Sequence, residues 1–144
     1  YYVQVVDYLC EVSKALLHCT KPAYEHIDNN HRGLTAEQIH DLKVVNDHVD
    51  DIFAKINTML TQGDFSALDS VMEMRDELFD TIAAIIKKHI KLLQANPTAS
   101  SKASALFLNI LTETKSLVLH SRNLIKSQAY FLNVVKEEKK QASK

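Results

Sequence analysis

Two glycines and two prolines in 144 residues limit what this chain can fold into more than any other feature of it. Sheets and α/β folds need frequent turns, and turns draw on Gly, Pro, Asn and Asp. Here long stretches of Leu, Ala, Lys, Glu and Gln run unbroken, and these residues lose little freedom on entering a helix. The expectation is an all-α fold in a single domain, long enough to bury a core.

Apolar residues recur at i, i+3, i+4 and i+7 in four segments. The first stripe is Tyr2, Val5, Val6, Leu9, Val12, Leu16, Tyr24 and Ile27, with a kink or a local 3₁₀ break expected at Pro22. The polar run 26–33 ends it. Thr35-Ala-Glu-Gln38 has the form of a capping box and opens a second stripe of Ile39, Leu42, Val45, Val49, Ile52, Phe53, Ile56 and Leu60. Gly63 suits a left-handed C-cap, and Asp64 suits the N-cap of the next helix.

The third stripe is Leu68, Val71, Met72, Phe79, Ile82, Ile86, Ile90 and Leu93, stopped at Asn96-Pro97. The fourth starts between Thr98 and Ser101 and follows Leu106, Ile110, Leu117, Leu124, Phe131 and Val135. The predicted helices are about 2–28, 36–62, 65–95 and 100–138. Short connections make neighbours antiparallel, giving an up-down-up-down four-helix bundle of long helices.

A formal charge of −1 and a pI near 6.7 leave no basic field, so nucleic acid is not an expected partner. Lys136, Lys139 and Lys140, interleaved with Glu137 and Glu138, read as a solvated helix end. Cys10 and Cys19 would lie about 13 Å apart along one helix, too far to bridge, so a reducing compartment is expected. No apolar run reaches membrane-spanning length, and no signal peptide is visible. The chain opens at Tyr1 in helical pattern without an initiator methionine, which points to a piece of a longer protein.

Several stripe positions are polar: Ser13 and Thr20 on the first helix, Asn46 and Asp50 on the second, Arg75, Asp76 and Asp80 on the third, and Glu113, His120 and Ser121 on the fourth. Folding the helices back at residue 63 sets Asp50 opposite Asp76. The turn at 96–100 sets Arg75 level with His120 or Arg122. A mid-bundle polar layer follows, with Arg75 and Glu113 in it. Buried carboxylates must be paired or metal-bound, which leaves two readings. One is an Arg75-centred ion-pair layer, or edge residues that reach solvent. The other is a metal or anion site from Asp50, Asp76, Asp80 and His120. The pair of Glu-x-x-His motifs, one on each of two helices, that di-iron bundles use is missing. A second ligand set is His26-x-Asp28-x-x-His31, where two imidazoles and a carboxylate meet at a helix end; the same run also reads as an ordinary polar turn. No nucleophile–base pair or phosphate-cradling glycine loop is present, so no catalytic residue is assigned and an enzyme is not expected.

The segments VVDYL at 5–9, HIDNNHRGL at 26–34 and TETKSLVLH at 112–120, with Asn123 and Leu124 beyond, resemble the PhoU-like C-terminal region of bacterial type II sodium/phosphate cotransporters. That resemblance implies a helical domain on the cytoplasmic side of the inner membrane. It would modulate phosphate uptake through contacts with the membrane domain of the same transporter chain, or with a second copy in a homodimer. It also implies acidic metal motifs for a divalent or trivalent ion. Asp47-x-x-x-Asp51 and Asp76-x-x-x-Asp80 carry the family spacing, and His120 and Asn123 are retained. Lys115 and Leu119 stand where acids belong, and Glu11 has no acid four residues on. The alternative function is a metal- or anion-binding bundle.

Overall fold

The computed structural model describes residues 2–96 and 101–142, with side chains described through residue 137. Pro97, Thr98 and the side chains of Glu138, Lys139 and Lys140 lie outside the described residues. Four helices fill the rest: α1 (Tyr2–Asp28), α2 (Ala36–Gln62), α3 (Leu68–Ala95) and α4 (Ser101–Ala142). No strand occurs among the described residues, and none of these helices is long and apolar enough to cross a membrane.

Local chemistry sets the boundaries. The α1 helix runs through Pro22 without a break, so the local 3₁₀ interruption is not there. It stops in a Schellman motif. His31 N–H donates to the His26 carbonyl at 3.1 Å and Asn30 N–H to Ile27 at 3.0 Å. Asn30 adopts the left-handed conformation at φ 53°, which asparagine tolerates better than most residues. The capping box at the start of α2 forms as expected: Gln38 N–H donates to Thr35 Oγ1 at 3.2 Å, and Thr35 N–H to Gln38 Oε1 at 2.8 Å. Gly63 ends α2 at φ 64°. Asp64 does not cap α3. Its Oδ1 accepts from Ser66 N–H at 2.9 Å in an Asx turn, and α3 starts at Leu68, three residues later than the sequence predicts.

The four helices form an antiparallel bundle, but its core is not shared equally. Ile52, Ile56 and Met59 of α2, Val71, Leu78 and Ile82 of α3, and Phe107, Leu111, Val118 and Ile125 of α4 make one continuous apolar cluster that includes no α1 residue. Among the described residues the backbone of α1 closely approaches that of α4 and of no other helix. The two run antiparallel, with Asn109 Nδ2 donating to the His18 carbonyl at 2.9 Å. In α4 the buried positions 107, 111, 118 and 125 each follow by one residue the predicted stripe of Leu106, Ile110, Leu117 and Leu124, which is half-buried. One residue is a turn of about 100° around a helix. The α4 helix therefore has two apolar arcs, one for the three-helix core and one for α1.

The first stripe is where expectation and structure part. Tyr2, Val6, Leu9, Leu16, Tyr24 and Ile27 were expected in the core, yet they are 79%, 55%, 49%, 48%, 68% and 74% exposed. The α1 residues that are buried are Ala15 and His26. The covered face of α1, with Ala15 and His26 in it and Val5, Tyr8 and Val12 half-buried, lies toward α4, while the wider apolar face turns to solvent.

Candidate functional site

Where α2 begins, α3 ends and α4 begins, the helices enclose a cavity of about 300 Å³ lined by Glu37, Asp41, Lys88, His89, Ser104 and the Arg32–Gly33 loop, among others. The Thr35 cap starts α2 so that Glu37 and Asp41, four residues apart, share a face. Lys88 crosses from α3 to meet them, its Nζ 2.6 Å from Asp41 Oδ2 and 3.3 Å from Glu37 Oε1. Asp41 is buried, and a buried carboxylate of this kind is retained only with a hydrogen-bonded partner. The bond to Asp41, against a smaller burial effect, raises the Lys88 ammonium above its ordinary range.

Next to this triad is His89, which is buried and packs edge-on against Phe107 with ring centroids 4.9 Å apart. Its Nε2 is shut off from solvent and has no hydrogen-bond partner. Burial lowers its pKa, while the charges of Glu37 and Asp41 act in the opposite direction. Leu92 and Leu93 give the cavity apolar wall.

The residues singled out from sequence lie elsewhere. Asp47, Asp50, Asp51, Asp76 and Asp80 are all exposed, as is Ser13. Asn46 donates to Asp50 at 2.9 Å on the surface. The buried polar layer does not form. Arg75 turns to its own neighbour, Nε 3.0 Å from Asp76 Oδ1, and lies over the Phe79 ring. The Arg75 side chain is 16% exposed and that of Asp76 64%, so the arginine is paired at the edge of the bundle by a carboxylate that stays in solvent. Glu113 is half-buried and contributes to raising the Cys19 thiol, after burial itself. His120 keeps a buried Nδ1 without a partner. Arg122 donates to Met72 Sδ at 2.8 Å, so the alignment of α3 with α4 at this level is as expected. Both cysteines are free. Among the described residues no three His, Cys, Asp or Glu side chains gather as a metal would require.

The loop ligands serve the helix end instead. His26 is buried, its Nε2 2.8 Å from the Arg32 carbonyl oxygen and its ring set edge-on to His31 at 5.3 Å. His31 Nε2 lies 3.3 Å from Lys102 Nζ on α4, and Asp28 is exposed. The Glu37–Asp41–Lys88–His89 group escaped sequence reading because its parts are about fifty residues apart. A signal was present: His89 occupies the stripe spacing that continues Ile82 and Ile85.

Compared with known proteins, the chain matches no family model, no curated protein and no solved structure.

Proposed function

We propose that this chain is an interaction domain that regulates a sodium-dependent phosphate transporter, docking on the transporter's membrane domain through α1. The observation that carries the reading is the apolar face of α1, where six large side chains spaced along the helix are about half or more exposed. Monomeric proteins rarely leave a contiguous apolar face of this kind in water, and where it occurs it marks a binding surface. An amphipathic helix face laid against a partner is a common recognition mode. The resemblance of the segments 5–9, 26–34 and 112–120 to PhoU-like transporter domains supplies the identity of the partner. Two residues of the first of these segments, Val6 and Leu9, lie on the exposed face.

The test is phosphate uptake in cells whose gene for this chain carries Val6→Asp and Leu16→Asp together. Both positions are about half exposed, so the bundle should still fold cooperatively with a Tm lowered by only a few degrees, while uptake changes in rate or in its response to external phosphate. Unchanged uptake with a normally folded, normally abundant double variant sinks the reading.

A further inference from the structure

We propose that α1 pairs with the α1 helix of a second copy of this chain, antiparallel across a two-fold axis, and that this pairing competes with docking for one face. Among the described residues the backbone of α1 closely approaches α4 alone, and the seam along its open side has the spacing of a coiled coil. From Tyr2 to Ile27 the seam advances by four and three residues in strict alternation. That is the 3.5-residue period that keeps one seam facing one partner helix over its whole length. On it Val6, Leu9, Leu16 and Ile27 are about half or more exposed, and Ser13 and Thr20 are exposed as well.

The small polar residues choose the direction. A two-fold interface is self-complementary, and one antiparallel register sets Tyr2 against Ile27 of the other copy, Val6 against Ala23, Leu9 against Thr20 and Ser13 against Leu16. Every level then holds a large apolar side chain. Parallel copies would set Ser13 against Ser13 and Thr20 against Thr20, two levels without one. Charge agrees. Asp7 and Lys21 are exposed and flank the seam on the side away from α4, by the 100° advance per residue. Antiparallel pairing brings Asp7 of each copy level with Lys21 of the other, whereas parallel pairing brings like to like. Lys21 reaches Glu25 of its own helix only at 3.9 Å. Lys14, nearest the axis, is already held by Glu11 of its own chain at 2.6 Å.

Size sets the strength. The seam is about 38 Å long at 1.5 Å per residue and one helix wide, which places it at the small end of interfaces that hold proteins together. Pairing of this size is reversible: the chain is single at about a few micromolar and paired at roughly hundreds of micromolar. The pairing itself does not rest on the docking reading. Only its consequence does: a chain paired through α1 has no face left for the transporter, so dissociation must precede docking.

The experiment is sedimentation velocity of the whole chain under reductant, from about 5 µM to about 500 µM. The wild type should pass reversibly from monomer to dimer and stop there, since a two-fold pair is closed. Leu9→Asp should stay monomeric throughout. Asp7→Lys puts like charges at both rim contacts and should weaken pairing about three- to tenfold, and combining it with Lys21→Asp should restore the wild-type strength. These exposed positions keep the test decisive if Leu9→Asp does not fold. A wild type that stays monomeric, dimers that survive Leu9→Asp, indifference to Asp7→Lys, or a double swap no stronger than the single one overturns the proposal. Phosphate uptake tests docking separately, so either reading can fail while the other stands.

Discussion

Leu16 and Leu78 are the same residue type on long amphipathic helices, yet the structure assigns them very different energies. Leu78 is 0% exposed in the shared core. Truncation to alanine there removes three carbons and leaves a cavity that packed neighbours only partly fill, a loss of about 3–5 kcal/mol. Leu16 is 48% exposed. The same three carbons are worth about 2.4 kcal/mol at ~0.8 per carbon when fully buried, so roughly half, near 1 kcal/mol, is at stake. No enclosed cavity forms, and alanine's better helix propensity recovers about 0.2 kcal/mol. Urea unfolding of the two variants, followed by circular dichroism at several protein concentrations, should give midpoints that differ in this ratio with unchanged slopes. If Leu16→Ala costs more than about 2.5 kcal/mol, its face is covered in solution and the placement of α1 is refuted.

Other consequences follow from single residues. Thr35→Ala removes the capping-box acceptor and should lower stability by about 1 kcal/mol, read from the urea midpoint. Gly63 holds φ 64° with open space around its α-carbon, so Gly63→Ala should cost about 1 kcal/mol from backbone strain alone, with no repacking visible by NMR. Asp76→Ala should change the midpoint by less than about 0.5 kcal/mol, since the pair it makes with Arg75 is on the surface. The pKa of His89 is lowered on folding, so the unfolded chain takes up its proton first as pH falls. Stability should therefore decline from the ordinary histidine pKa downward until the folded imidazole also titrates. His89→Leu should flatten that part of the pH profile measured by thermal melts.

The helix ends were legible because they are decided by neighbours in sequence. Thr35 with Gln38, Gly63 with its positive φ, and the Asn29-Asn30 stop each act within about one turn, and sequence reading placed α1 and α2 to the residue. The start of α3 slipped by three because Asp64 had two local uses, a cap or an Asx turn, and only the path of the chain into the bundle chose between them. The candidate sites fared less well. The spacing of Asp47 with Asp51 and of Asp76 with Asp80 is real, but spacing on one helix does not show whether the face is covered, and these faces are open.

What the sequence determined by itself is the all-α class, the four helices and the caps that bound them, because scarcity of turn residues and short-range hydrogen bonding leave few alternatives. Which apolar arc meets which helix was decided only in three dimensions. A periodic stripe states that a helix has an apolar face without naming its partner. The core joined α2 and α3 to one arc of α4, α1 took the other arc with Ala15 and His26 buried, and its own broad stripe was left facing water. The same assembly brought Glu37, Asp41, Lys88 and His89 together around one cavity, a juxtaposition that residues so distant along the chain acquire only when the bundle closes.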